Sequence, residues 1–216
     1  MNVHILIDGL ISFLGLIALL TFHEFGHAWM AWKRGDDTAR LQGRLSLNPL
    51  VHIDPVGTVI IPLAMIFLSL SGSGLGHFLV GWARPVPVNP SNLRSPRLDD
   101  ILISLAGPAM NGLLAVALVA LARAGVMVHS VEMTMVCLDW AKLSLILCFF
   151  NLLPVPPLDG SHVVRSLVGM SYETYWKLSR YGFVILIVVL QIPAVRFFLS
   201  FVTEASFVIL RSVFSV

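Results

Sequence analysis

The apolar run that begins at Ile5, ILIDGLISFLGLIALLTF, carries a single charge, Asp8, along its whole length. A helix of ~20 apolar residues crosses the hydrocarbon core of a bilayer, and inside lipid the backbone must satisfy its own hydrogen bonds. This stretch therefore predicts a spanning helix from about Ile5 to Trp32, closed by Lys33-Arg34-Gly35. Comparable runs recur at 56–70, 98–122, 136–153 and 181–192. The chain is 57% hydrophobic and 12% charged, against roughly 25% charged in soluble domains. These features predict an all-α integral membrane protein, a polytopic helical bundle set in the lipid bilayer.

One membrane-embedded domain accounts for all 216 residues. Its core is expected over about 5–170, followed by a C-terminal helix and an interfacial tail over about 178–216. The tail from Ala194 spaces Arg196, Glu204 and Arg211 along an otherwise apolar sequence. The N-terminus lacks the basic start and the cleavage site of a signal peptide, so the first apolar segment is expected to be retained. A net charge of +2 is too small to indicate nucleic acid as a partner. Cys137 and Cys148 have no C-x-x-C spacing and read as core residues.

The positive charges orient the bundle. Lys33, Arg34, Arg40, Arg44, Arg84, Arg94 and Arg97 all lie between the first long helix and the one beginning near Leu98. Lys and Arg favour the cytoplasmic side, which places 33–98 mostly inside. Residues 56–82 then enter and leave by one face as a re-entrant or hairpin element. The competing topology makes 56–75 a full span and puts Arg84, Arg94 and Arg97 outside.

Within the first helix stands TFHEFGHAW. His23 and His27, four apart, share one helical face, and Glu24 lies between them as H-E-x-x-H. Two imidazoles so placed can bind Zn²⁺ while the glutamate serves as general base on a water that the metal acidifies. A charged group at the centre of a spanning helix costs at least about 2.5–3.5 kcal/mol, so lipid is a poor place to keep one without a task. At 1.5 Å per residue, His27 lies about 9 Å and His23 about 15 Å from Lys33 along the axis, nearer the cytoplasmic end. A catalytic zinc needs a third protein ligand. In NLLPVPPLDGSH, Asp159 and His162 are both candidates, and His52 and His77 are weaker ones. Asp159-Gly160 is equally a turn dipeptide.

HEFGH, GWARPVPVNP, AGPAMN and NLLPVPPLDG, in this order over about residues 15–165, resemble the site-2 protease family of intramembrane zinc metalloproteases, in particular its small bacterial members. The resemblance implies one Zn²⁺ per chain held by His23, His27 and Asp159, with Glu24 as catalytic base. It also implies that Asn151 binds substrate or the developing oxyanion. Asn111 in AGPAMN reads as a helix-packing residue. Larger relatives carry PDZ or CBS modules that are not seen here, so substrate selection falls to the membrane core or to a partner protein.

The activity so implied is hydrolysis of peptide bonds in transmembrane substrates, in a multi-pass protein of the bacterial inner membrane. A helical substrate has to unwind to be cut. The segment around 83–90 is predicted to be extended, a strand candidate. Pro85 and Pro87 blunt one of its edges, while Val86 and Val88 keep N–H groups on the other for a substrate strand. The rival readings are a membrane metallohydrolase acting on a non-transmembrane substrate and a non-catalytic zinc-binding or interaction protein.

Overall fold

The computed structural model of the chain describes residues 3–70 and 81–216. Among them there is no strand, and the helices follow the apolar runs. Helix α1 spans Val3–Arg34. A short α2, Thr38–Leu41, follows. Helix α3, Ile61–Leu70, continues from a π-helical turn at Pro55–Ile60. Next come α4, Pro96–Met127, and α5, Val131–Asn151. The chain ends with α6, Asp159–Leu167, α7, Tyr172–Ser179, α8, Gly182–Gln191, and α9, Pro193–Phe214.

Four of these helices, α1, α4, α5 and α9, are long and apolar enough to cross a membrane. Helix α9 covers the segment expected to be an interfacial tail. Its Glu204 lies 2.5 Å from Lys142 of α5, and Arg123 of α4 donates to the Ser215 carbonyl at its far end. The three polar residues that made this tail read as interfacial are too few to shorten a helix of 22 residues, about 33 Å at 1.5 Å per residue.

Helices α1, α4 and α5 form the centre. Leu16, Leu19, Leu20 and Leu147 are buried together with Ala83 of the extended segment, and Leu114, Leu118 and Leu143 pack against them. Arg34 at the end of α1 donates to Asp99 in the first turn of α4 at 2.5 Å, which holds the two helices antiparallel. Three Asx-Pro pairs serve as helix caps. Asn48, Asp54 and Asn89 each accept backbone N–H groups from two or three residues on, as such residues do at helix N-termini.

Residues 83–89 are extended and unpaired as a strand. Their start is sewn to the segment that leads into α3. Arg84 N–H donates to the His52 carbonyl at 2.8 Å and Trp82 N–H to the Gly57 carbonyl at 3.3 Å. The Thr58 hydroxyl donates to the Trp82 carbonyl. A Cβ on Gly57 would lie 2.3 Å from the Trp82 ring, so glycine is needed for this approach. Residues 52–58 and 81–84 are thus side by side, as a re-entrant element requires. Helix α3 runs back along α1, with Ile66 against Gly9. The glycine-rich stretch 71–80, including the weaker ligand candidate His77, lies outside the described residues.

The neighbouring carboxylate of Asp36 fastens the far end of the extended segment. It accepts from the N–H groups of Asn89 and Thr38, from the Thr38 hydroxyl and from the Asn92 amide. Burial works against its charge, yet these donors together hold its pKa below the usual carboxylate value.

The pairing of 52–58 with 81–84 has a direct test. In a background with Cys137 and Cys148 changed to Ala, Leu47→Cys and Ser91→Cys should react with an impermeant maleimide from one side of the membrane, and Val128→Cys from the other. Labelling of positions 47 and 91 from opposite sides would overturn the re-entrant arrangement.

Candidate active site

The site begins where α1 and α4 come closest. His23 and His27 are buried on one face of α1, with ring centroids 4.7 Å apart. Two glycines allow the approach. A Cβ on Gly26 would stand 2.7 Å from the Ala106 carbonyl oxygen, and one on Gly107 would stand 2.3 Å from His27 Nε2 and 2.7 Å from His23 Cε1. Small residues commonly let membrane helices approach this closely. Pro108 has no N–H for the Ser104 carbonyl, which loosens this turn of α4. From the same turn, the Ile103 carbonyl accepts a hydrogen bond from His27 Nδ1 at 2.7 Å. Next along that face, Asn111 is fully buried with its Nδ2 3.1 Å from His23 Nδ1.

Asp159 arrives from the other side as the first residue of α6. Residues 152–158, with their three prolines, separate α5 from α6. The Asp159-Gly160 pair therefore opens a helix and is not a simple turn. Gly160 is required, because a Cβ there would lie 2.3 Å from the Leu152 carbonyl oxygen. Helix α6 is locked to α4 by Arg165, buried against Asp100 at 2.7 Å and stacked on Tyr172 with its guanidinium carbon 3.7 Å from the ring centre. Ser166 also donates to Asp100.

His23, His27 and Asp159 come together as a group that could hold a metal ion. Asp159 Oδ2 is 3.1 Å from His23 Nε2, and Oδ1 is 3.3 Å from His27 Nε2. The two Nε2 atoms are 3.0 Å apart. The Ile103 carbonyl can only accept, so His27 carries its proton on Nδ1 and presents a bare Nε2 to the cluster. Asp159 Oδ2 is buried and has no hydrogen-bond partner. Lone pairs converging in this way need a cation. In a tetrahedral site with Zn–N bonds of about 2.0–2.1 Å, neighbouring ligand atoms lie about 3.3 Å apart. The residues present fit zinc.

Glu24, buried beside the histidines, accepts the Val86 N–H on Oε2 at 3.1 Å. The extended segment therefore already uses one of its two valine N–H groups within the chain. Arg44, buried beneath this segment, donates to the carbonyls of Arg84 and Pro85. Burial pulls the Arg44 pKa below its usual value, the Glu24 charge pushes the other way, and Arg84 adds to the lowering. Val88 packs against the cluster of Ala31, Leu93 and Ile103.

The remaining candidates lie elsewhere. Asn151, the last residue of α5, donates from Nδ2 to the Leu147 carbonyl one turn back. His162 faces Asp100 at 3.8 Å, and His52 is buried with Nε2 against the Ser46 carbonyl. Neither belongs to the metal-holding group. Sequence reasoning missed Gly107, Asn111 and Arg44. AGPAMN did mark the first two, because glycine, proline and asparagine are unusual together in a spanning helix.

The chain is 40% identical over 189 residues to "Putative zinc metalloprotease YwhC" of Bacillus subtilis, covering 82% of this chain and 78% of the relative. The chain belongs to peptidase family M50, the site-2 proteases. The profile of peptidase family M50 itself matches residues 124–190, a region that holds Asn151 and Asp159. Another M50 relative, "Putative zinc metalloprotease Rip2" of Mycolicibacterium smegmatis, is 33% identical over 84% of this chain and 67% of its own length. Rip2 of Mycobacterium tuberculosis is 36% identical over 68% of this chain and 52% of its own length. No solved structure matches the chain. As an M50 protein, the chain is an integral membrane zinc metalloprotease.

Gly107→Ala tests the closeness of the two helices at the metal group. Its Cβ would displace both imidazoles, so zinc affinity should fall by about tenfold or more, the scale of disturbed ligand support. The readout is zinc retained after dialysis, with helicity unchanged by circular dichroism.

Proposed function

We propose that this M50 protein is an intramembrane endopeptidase that cuts transmembrane substrates. The observation that carries the reading is the convergence of His23, His27 and Asp159 within a bundle of apolar helices, with Glu24 next to His23 on the same helix. When bound by these three residues, zinc supplies a Lewis acid that polarises a carbonyl and lowers the pKa of water to near 7. Glu24 takes the proton from the attacking water at its carboxylate and delivers it to the departing amine. Asn151 keeps a second amide hydrogen beyond the one given to Leu147. That hydrogen is suited to the scissile carbonyl oxygen as it gains charge.

The extended segment receives the unwound substrate. Val86 gives up its bond to Glu24 when substrate and water enter, and Val88 offers the next N–H on the same edge. Pro85 and Pro87 leave the opposite edge without donors. Val88→Pro should then raise KM and slow cleavage by a few-fold while zinc binding stays unchanged; unaltered kinetics would remove this edge from substrate capture.

Substrate selection is assigned to the membrane core or to a partner protein. The protein sits in the bacterial inner membrane with the site nearer the cytoplasmic face. Supporting this, every Lys and Arg except Arg123, Lys142 and Arg211 lies on the end of the bundle formed by 33–97 and 152–196. That end is cytoplasmic by the positive-inside rule.

The decisive experiment pairs zinc content with cleavage of a transmembrane model peptide by purified protein. Glu24→Gln should keep one zinc per chain and lose about 10²–10⁴ in rate, the usual contribution of a general base. Asp159→Ala should lose both metal and activity. Cleavage by Glu24→Gln close to wild type would sink the mechanism. Cleavage by wild type of soluble peptides alone would favour a metalloprotease with a non-transmembrane substrate.

A further inference from the structure

Asn111 stands on the face of α4 that meets the histidines, four residues beyond Gly107 and eight beyond Ile103. The three positions form one stripe. The Ile103 carbonyl engages His27, Gly107 makes room for both rings, and Asn111 touches His23. Asn111 itself is held firmly: it is fully buried, and its backbone carbonyl accepts from the Ser144 hydroxyl of α5 at 2.8 Å. Its side chain thus has the fixed placement of a supporting residue for a metal ligand.

The tautomer of His23 decides what Asn111 does. His23 Nε2 points to the cluster, 3.0 Å from His27 Nε2 and 3.1 Å from Asp159 Oδ2. An amide N–H donated to Nδ1 would place the His23 proton on Nε2, where a cation belongs. A half-turn of the carboxamide puts the oxygen in the same place. Oδ1 then accepts Nδ1–H, and Nε2 is bare, as in His27. Both histidines are then alike, each with its proton fixed on Nδ1 by an oxygen of α4.

We propose that Asn111 is a positioning residue that holds His23 in the Nδ1–H tautomer through Oδ1 and so makes it a competent zinc ligand. This rests on the reading of His23 as a ligand. It assigns to α4 a chemical part in the metal site, beyond the packing role read for Asn111 from the sequence.

Two substitutions of similar size separate the possibilities. In Asn111→Asp the carboxylate can only accept, so the bond from Nδ1–H is kept; in Asn111→Leu it is lost. Zinc dissociation constants of the detergent-solubilised full chain, measured by competition with a chromogenic chelator, should differ accordingly. Asn111→Asp should stay within about threefold of wild type, and Asn111→Leu should weaken by about 10–100-fold. Affinity in Asn111→Leu equal to wild type, or an equal loss in both variants, would overturn the proposal.

If Asn111→Leu does not fold, ¹⁵N-histidine spectra of the zinc-loaded wild type give the answer alone. The proposal requires a protonated Nδ1 on His23, and a bare Nδ1 refutes it. His23→Ala separates the underlying reading: undiminished zinc binding there would show that His23 is not a ligand, whatever Asn111 does.

Discussion

The structure depends on the close approach of α1 and α4. Polar groups in lipid are costly unless they are paired and shielded. Two imidazoles and a carboxylate inside a bundle this apolar therefore need a second helix directly against them. Gly26 and Gly107 supply that contact from opposite sides, and each would drive a Cβ into the partner helix. The same approach brings the Ile103 carbonyl and Asn111 within hydrogen-bond reach of the outer nitrogens of the rings. The space removed at two glycines is what turns a hydrophobic helix pair into a polar pocket.

Asp159 presents a different problem, because its helix is short and begins in a proline-rich turn. A nine-residue helix cannot hold a carboxylate in place by its own stability, since isolated helices shorter than ~12–15 residues are marginal. Tertiary contacts do so instead. Arg165 and Ser166 fasten the end of α6 to Asp100 of α4, and Ser161 shares a hydrogen bond with Tyr175 of α7. Helix α4 therefore positions the metal group from both directions, through its mid-section for the histidines and through its first turns for Asp159.

Much of this was legible in the sequence. Apolar runs of membrane length gave the bundle, because lipid leaves the backbone few options. H-E-x-x-H gave the face of α1, because four residues make just over one helical turn. The spacing of His162 and Asp159 could not choose between them: which side chain faces α1 depends on how α6 docks, a contact made by Arg165 and Asp100 far apart in sequence. Gly107 was equally invisible as a site residue, since a glycine's role here is the volume it leaves to residues eighty positions away. The three charged residues of the tail drew attention from the apolar length of α9. Asn48-Pro49 and Asp54-Pro55 read as breakers because the Pro ends regular structure before it, although the same Pro suits the first position of the helix that follows.

The extended segment joins the two halves of the proposed chemistry. Its N–H groups at 82, 84 and 86 lie two apart, as they do along one edge of a strand. The first two bind Gly57 and His52, and the third binds Glu24. The carbonyls of Arg84 and Pro85 are gripped by Arg44. The backbone that would meet a substrate is thus fixed at one end and tethered to the general base at the other. On the proposed mechanism, Glu24 is engaged here by a donor that a substrate strand would displace. Arrival of substrate at the edge and release of the carboxylate for proton transfer would then be a single event, coupling the proposed base to the presence of something to cut.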